Sequence, residues 1–283
     1  MARLIREAHG DVIRCRVLFG ISYVTCLVFG VLGGLAVHRA LVRALGSSSG
    51  SHLLLSRADP LVLYELFNSN DQLFSRAAWV IAGVLAAGTL VRLLITGAVL
   101  DLLAGQHRFR WRACLAGSVR LFRGLLFLAA IESMLLAGLV FLHLLDLPSL
   151  LLGEPETEST LFVADIAWTL VLAAVATAII QGFKYAKIYL ARDHRPERAI
   201  IAGMRFFLTN TCPAIAISLS ALIITGGGVA IKWLFAGMSS GGSSQIVLAI
   251  AATQLAVLAH QYGRFLSLAA SMRLASEIRD ASV

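Results

Sequence analysis

Six runs of the chain, residues 17–37, 77–100, 124–145, 161–183, 213–231 and 246–263, are apolar almost without interruption. About 20 such residues, coiled as a helix, cross the roughly 30 Å hydrocarbon core of a bilayer. Inside lipid a backbone must satisfy its own hydrogen bonds, so only helices or a closed β-barrel can span. A barrel would show short segments in which apolar and polar residues alternate, whereas these runs are long and evenly apolar. The composition agrees. With 58% hydrophobic and 14% charged residues, a 283-residue chain carries more apolar surface than a water-soluble domain could hide. The expected fold is all-α: a single integral membrane domain, a bundle of six transmembrane helices with short amphipathic helices lying in the interface.

The charges set the threading. Of the 24 Lys and Arg residues, eighteen fall in the N-terminal flank, the connections after the second and fourth runs, and the tail. Five fall on the opposite side. The positive-inside rule then places both termini in the cytoplasm. The net charge of +8 would suit nucleic acid, but cations gathered at the ends of apolar runs point instead to anionic lipid headgroups, with no nucleic-acid partner. The interfacial candidates are Arg108, Arg110, Arg112, Arg120, Lys184, Lys187, Arg198 and Arg205. The outer connection at 146–160 agrees, with Asp146, Glu154, Glu156 and Glu158 and no cation. Cys15, Cys114 and Cys212 fall on cytoplasmic faces and Cys26 inside the first run, so no disulfide is expected. The first run is too long for the apolar core of a secretory signal, and its flank carries Glu7 and Asp11; it reads as a retained helix.

The largest outer connection, 38–76, opens with the flexible run GSSSGS (46–51). It continues through Asp59-Pro60, a helix-start signal, into a short surface helix over 61–67. The other outer tip, MSSGGSSQ (238–245), is a plain turn. Two inner connections look alike. Laid at an offset of 86, RACLAGSVRLF (112–122) and RAIIAGMRFFL (198–208) share Arg112, Ala113, Ala116 and Gly117 with Arg198, Ala199, Ala202 and Gly203. Both read as interfacial amphipathic helices. Together they suggest a parallel internal repeat, 78–145 on 164–231, of a kind found in transporters; chance similarity of alanine-rich segments is the alternative.

DPLVLYELF (59–67), RACLAGSVRLF (112–122) and GFKYAKIYLARDHRPERAIIAGMRFF (182–207) together resemble an uncharacterised family of bacterial polytopic, six-helix inner-membrane proteins. The resemblance implies architecture and a location in the bacterial inner membrane. It carries over no functional residue.

A few polar groups are out of place. Glu132 sits in LLFLAAIESMLLAGLVF (125–141) and Arg92 in GTLVRLLIT (88–96). A lone charge at the centre of a membrane helix costs about 2.5–3.5 kcal/mol on insertion scales, so such residues find partners. On antiparallel neighbours both would lie about 13 Å from the inner end, which predicts an intramembrane ion pair between Arg92 and Glu132. The pair is either a static clamp or part of a cavity that exchanges with a proton or an anionic substrate. In a third reading Arg92 reaches the inner headgroups alone. Their counterparts in the repeat, Ala178 and Ser218, are uncharged. Gln181, Gln254 and His260 are further polar bundle candidates, expected to form interhelical hydrogen bonds, and Gly226 to Gly228 a kink. No phosphate loop, nucleophile elbow, dinucleotide glycines, HExxH pair or paired catalytic carboxylates occur, so no catalytic, cofactor or metal site is assigned and the protein is not expected to be an enzyme. ERAIIAG (197–203) resembles the start of the motif by which ABC-transporter permeases dock their ATPase, but has Arg198 where alanine is usual and lacks the downstream Ile-x-Leu-Pro. The chain thus reads as a non-enzymatic transport or lipid-handling component. The alternatives are a structural or accessory subunit of a membrane complex, or an ABC permease-like subunit. The expected partners are membrane lipids and a membrane protein or a second copy of the chain.

Overall fold

A computed structural model of the chain describes residues 2–45, 71–105, 109–145, 158–237 and 243–280. Among these residues it is helical throughout, with eight helices: α1 (Ala2–Arg14), α2 (Arg16–Leu45), α3 (Asp71–Gly105), α4 (Trp111–Leu144), α5 (Glu158–Asp193), α6 (Pro196–Thr209), α7 (Thr211–Gly237) and α8 (Ser243–Asp280). The surface helix expected over 61–67, the polar run at 46–51 and most of the acidic outer connection lie outside the described residues.

Among the described residues five helices, against the six expected, are long and apolar enough to cross a membrane: the segments Arg16–Ala40, Phe74–Gly105, Trp111–Leu144, Phe162–Asp193 and Thr211–Phe235. The sixth expected span belongs to α8, which forms as one helix of 38 residues. Its apolar stretch is interrupted by Thr253, Gln254, His260 and Gln261 and then meets Arg264, which lowers its apolar character below that of the others.

The helices overrun the boundaries expected from hydropathy. α5 continues ten residues past Phe183, through FKYAKIYLARD, because nothing in that stretch stops a helix. It ends where His194 adopts a left-handed φ of 56°, a C-terminal stop. Arg195 is then extended and Pro196 opens α6. The segment 112–122, expected as a separate interfacial helix, is instead the first third of the unbroken α4. Its counterpart does stand alone as α6, because Asn210 ends it and Pro213 follows in the first turn of α7. A proline has no N–H and its ring crowds the carbonyl four residues back; Phe127, at the matching place in α4, imposes neither penalty.

The described residues fall into two compact units, 1–19 with 93–283, and 20–92. In the smaller unit α2 and α3 meet where the ring of Phe29 lies over Gly88, 3.4 Å from where a Cβ would stand. In the larger unit α7 packs on α8, α5 on α6 and on α4, and α1 on α8. Lipid is as apolar as leucine, so within a bilayer helices associate through close packing and polar contacts rather than by escaping water. The contact of α5 with α6 illustrates this. A Cβ at Gly203 would come within 2.3 Å of the Ala186 backbone nitrogen, so the two helices touch backbone to backbone. Around that contact Phe183, Tyr185, Ala186, Ile188 and Ala199 have no exposed surface. At the other crossing Gly228 lies against Ala256 and Ala259. α7 runs on through Gly226 to Gly228 without a break, and the third glycine serves the packing of α8.

Helix α1 is a feature that hydropathy alone passes over. Leu4, Ala8, Val12 and Cys15 recur at helical spacing and are all buried. Opposite charges complete the docking. Arg273 of α8 donates from Nε and Nη2 to the two carboxylate oxygens of Asp11, at 2.5 and 3.0 Å, and from Nη1 to Glu7 at 2.5 Å. His9 Nδ1 and the Tyr262 hydroxyl share a hydrogen bond of 2.5 Å, and Phe19 stacks edge-on against Phe265.

Candidate functional site

The polar groups of the larger unit gather along α5. Its residues 181, 184 and 188 lie near one side and 183, 187 and 190 near another, the spacing of a helix with two occupied faces. On the first, Lys184 Nζ donates to Ser218 Oγ of α7 at 2.9 Å and to Ser267 Oγ of α8 at 3.3 Å. Ser218 Oγ in turn donates to Gln181 Oε1 at 2.8 Å. On the second, Lys187 Nζ donates to Glu132 Oε2 of α4 at 2.6 Å. These two side chains are only 20% and 16% exposed.

Glu132, expected to pair with Arg92, meets a cation in Lys187, which the sequence reading did not name. Arg92 belongs to the smaller unit and its side chain is exposed. α5 stays helical past Phe183 and so holds Lys187 against α4. Lys184 and Lys187, expected as interfacial cations, each bond a neighbouring helix. A further relation follows from the repeat offset: Glu132 and Ser218 are corresponding positions, and each meets a lysine of α5. The sequence pointed to neither contact, although lysines three residues apart in a run that continues as helix were a signal for it.

The remaining polar candidates divide. Gln181 joins the Lys184 cluster. Gln254 is half-buried on α8 and His260 is exposed on the same helix. Of the interfacial cations, Arg108 lies outside the described residues. Arg110, Arg112, Arg120, Arg198 and Arg205 are exposed. Arg120 reaches across to Asp101 of α3 at 2.5 Å, and that carboxylate occupies the space a side chain at Gly117 would need. Beside it Ser118 Oγ donates to the Leu94 carbonyl at 2.9 Å, and Arg264 Nη2 donates to Thr96 Oγ1 at 2.6 Å, tying α3 to α4 and α8. Arg198 and Arg205 border an open groove of about 620 Å³ beside Tyr189 and Phe206. The ERAIIAG segment forms the first two turns of α6, and its small residues Ala199 and Gly203 are used for packing on α5.

A second polar region lies where α1, α3, α5 and α8 come together. A cavity of about 640 Å³ there is lined by Arg14, Arg192, Arg273 and Arg279 and by Asp11 and Asp280. Cys15 also borders it, and burial, with Asp11 and Cys114 nearby, pushes its thiol up to about 12. Such a thiol is inert rather than nucleophilic. Outside the spans, the Arg3 guanidinium bonded to Glu7, together with Arg273, holds that carboxyl below the usual carboxylate range. Among the described residues no three metal-ligating side chains come together.

Comparison of the chain with protein-family models, with curated proteins and with solved structures finds no match.

Proposed function

We propose that the protein is a multi-pass component of the bacterial inner membrane, termini inside, that handles an anionic substrate or lipid without catalysing a covalent reaction. One observation carries the reading. Two lysines stand a turn apart within an apolar span; Glu132 neutralises Lys187, while the partners of Lys184 among the described residues are the uncharged Ser218 and Ser267 and the face of the Tyr185 ring. A cation held among hydroxyls inside a bundle is costly unless it serves an anion or a proton, which is why intramembrane ionisable groups mark substrate paths. The five apolar helices support residence in a membrane, and the arginine-rich inner connections support the orientation.

The test is reconstitution. The full-length protein in proteoliposomes would be assayed for leaflet exchange of fluorescent phosphatidylglycerol and for phosphate uptake, against a Lys184→Met variant of matched abundance. Either activity in the wild type, lost in the variant, supports the reading. Absence of both in the wild type assigns the protein to a structural or accessory role.

A further inference from the structure

We infer that the cavity between α1, α3, α5 and α8 is a binding site for a phosphate group, held by Arg192 and Arg14. The site is separate from the Lys184 cluster and does not depend on whether the bundle transports anything.

Four arginines against two aspartates leave the cavity lining with a net charge of +2. The negative charge present is already engaged. Both oxygens of Asp11 accept from Arg273, which Glu7 also holds. Arg14 stands 3.7 Å from Asp11, an ion-pair distance without a hydrogen bond. Asp280, on the outer edge, is 72% exposed and 3.8 Å from Arg279.

Arg192 supplies the second observation. Its Nη1 is buried and has no hydrogen-bond partner. A guanidinium stays protonated under all physiological conditions and presents its donors in a fixed fork. Leaving one of those donors buried and unsatisfied is costly, more so for a charged group. The arrangement therefore suits an acceptor supplied from outside the chain. A planar fork matches the oxygens of phosphate, and two cationic charges in excess match a phosphate monoester or a pair of diesters.

Size and place narrow the ligand further. About 640 Å³ exceeds a lone phosphate and accommodates a phosphate with an attached group. Arg192 stands in the last turn of α5, eight residues and roughly 12 Å along the axis beyond Lys184, where the proposed threading puts headgroups. The phosphate could thus belong to a lipid headgroup or to a soluble phosphate compound; in either case the recognition is by the arginine forks.

The experiment uses the full-length protein in mild detergent with two probes. Titration calorimetry with inorganic pyrophosphate tests the soluble source. Native mass spectrometry with short-chain phosphatidylglycerol, against phosphatidylcholine, tests the lipid source. Arg192→Gln and Arg14→Gln are compared with Arg198→Gln, which removes an exposed arginine outside the cavity. Arg14 is 72% exposed, so its replacement keeps the test open if the Arg192 variant fails to fold. Saturable binding of either probe, weakened about ten-fold by the two cavity substitutions and unchanged by Arg198→Gln, supports the site and names its source. Equal weakening by all three variants would reduce the effect to diffuse surface charge and overturn the proposal. So would binding indifferent to Arg14 and Arg192, or no binding of either probe.

Discussion

Along α5, Leu170 is 64% exposed while Tyr185 and Ile188 are wholly buried. α4 repeats the contrast in the opposite direction, with Leu125 and Leu128 wholly buried and Met134 76% exposed. Between them the tightly packed levels hold lysines, a carboxylate, hydroxyls and glycines, whereas the exposed levels are mainly aliphatic or aromatic, with a few polar residues such as Asp165 and His143. Lipid makes this intelligible. A leucine gains little by exchanging an acyl chain for another leucine, but a lysine, a serine or a bare glycine backbone can be satisfied only by a particular neighbour. Specific association is therefore concentrated where the polar and small residues are, and the greasy level is left to lipid or to a partner.

The contrast can be broken most forcibly at Gly203. Valine there would drive a side chain into the Ala186 backbone, and overpacking of this kind costs about 3 kcal/mol or more. The abundance of folded protein and its thermal midpoint in detergent should both collapse. Next comes the ion pair. Replacing Glu132 or Lys187 alone by an apolar residue should cost about 3 kcal/mol, and replacing both should recover much of the loss, because one buried charge is worse than none. Equal losses in all three variants would show that the pair contributes only its packing.

A smaller effect is expected at the α1 clamp. Asp11→Asn removes charge-assisted bonds from Arg273 and should cost about 1.5–3 kcal/mol. Its readout is chemical: Cys15, 1% exposed in the native protein, should become reactive to maleimide as α1 leaves. Acid should have the same direction of effect. The Glu7 carboxyl is lowered, so its contribution is complete above the ordinary carboxylate pKa of about 4.3 and disappears only as pH falls through the lower folded value. Detachment of α1 already at pH 6 would mean that another group controls it. The smallest effects belong to the exposed level. Leu170→Ala and Val140→Ala should stay within about 0.5 kcal/mol, and a larger loss would reveal a protein partner covering that surface.

Hydropathy made most of the spans legible, because a long apolar run has few other destinations. It also marked Glu132 as a residue in need of a cation. It could not name the cation. Hydropathy ended α5 at Phe183, where apolar character fades, but helicity depends on stop residues, and none occurs before His194. The same confusion of two signals separated 112–122 from α4. There the arginines suggest an interface, but without a counterpart of Pro213 the helix does not stop. α1 was readable from the spacing of Leu4, Ala8, Val12 and Cys15, though its anchor lies on α8 and no local pattern reveals it. Nor could composition show that Arg192 and Arg14, far apart in sequence, border one cavity.

The bonds from Arg273 to Asp11 join residues separated by 262 positions. During synthesis, then, α1 has no anchor on α8 until the residues between the two helices have been made. A chain halted before α8 leaves the Glu7 and Asp11 carboxylates without Arg273 and the apolar stripe of α1 without its cover, and both are satisfied only when α8 arrives.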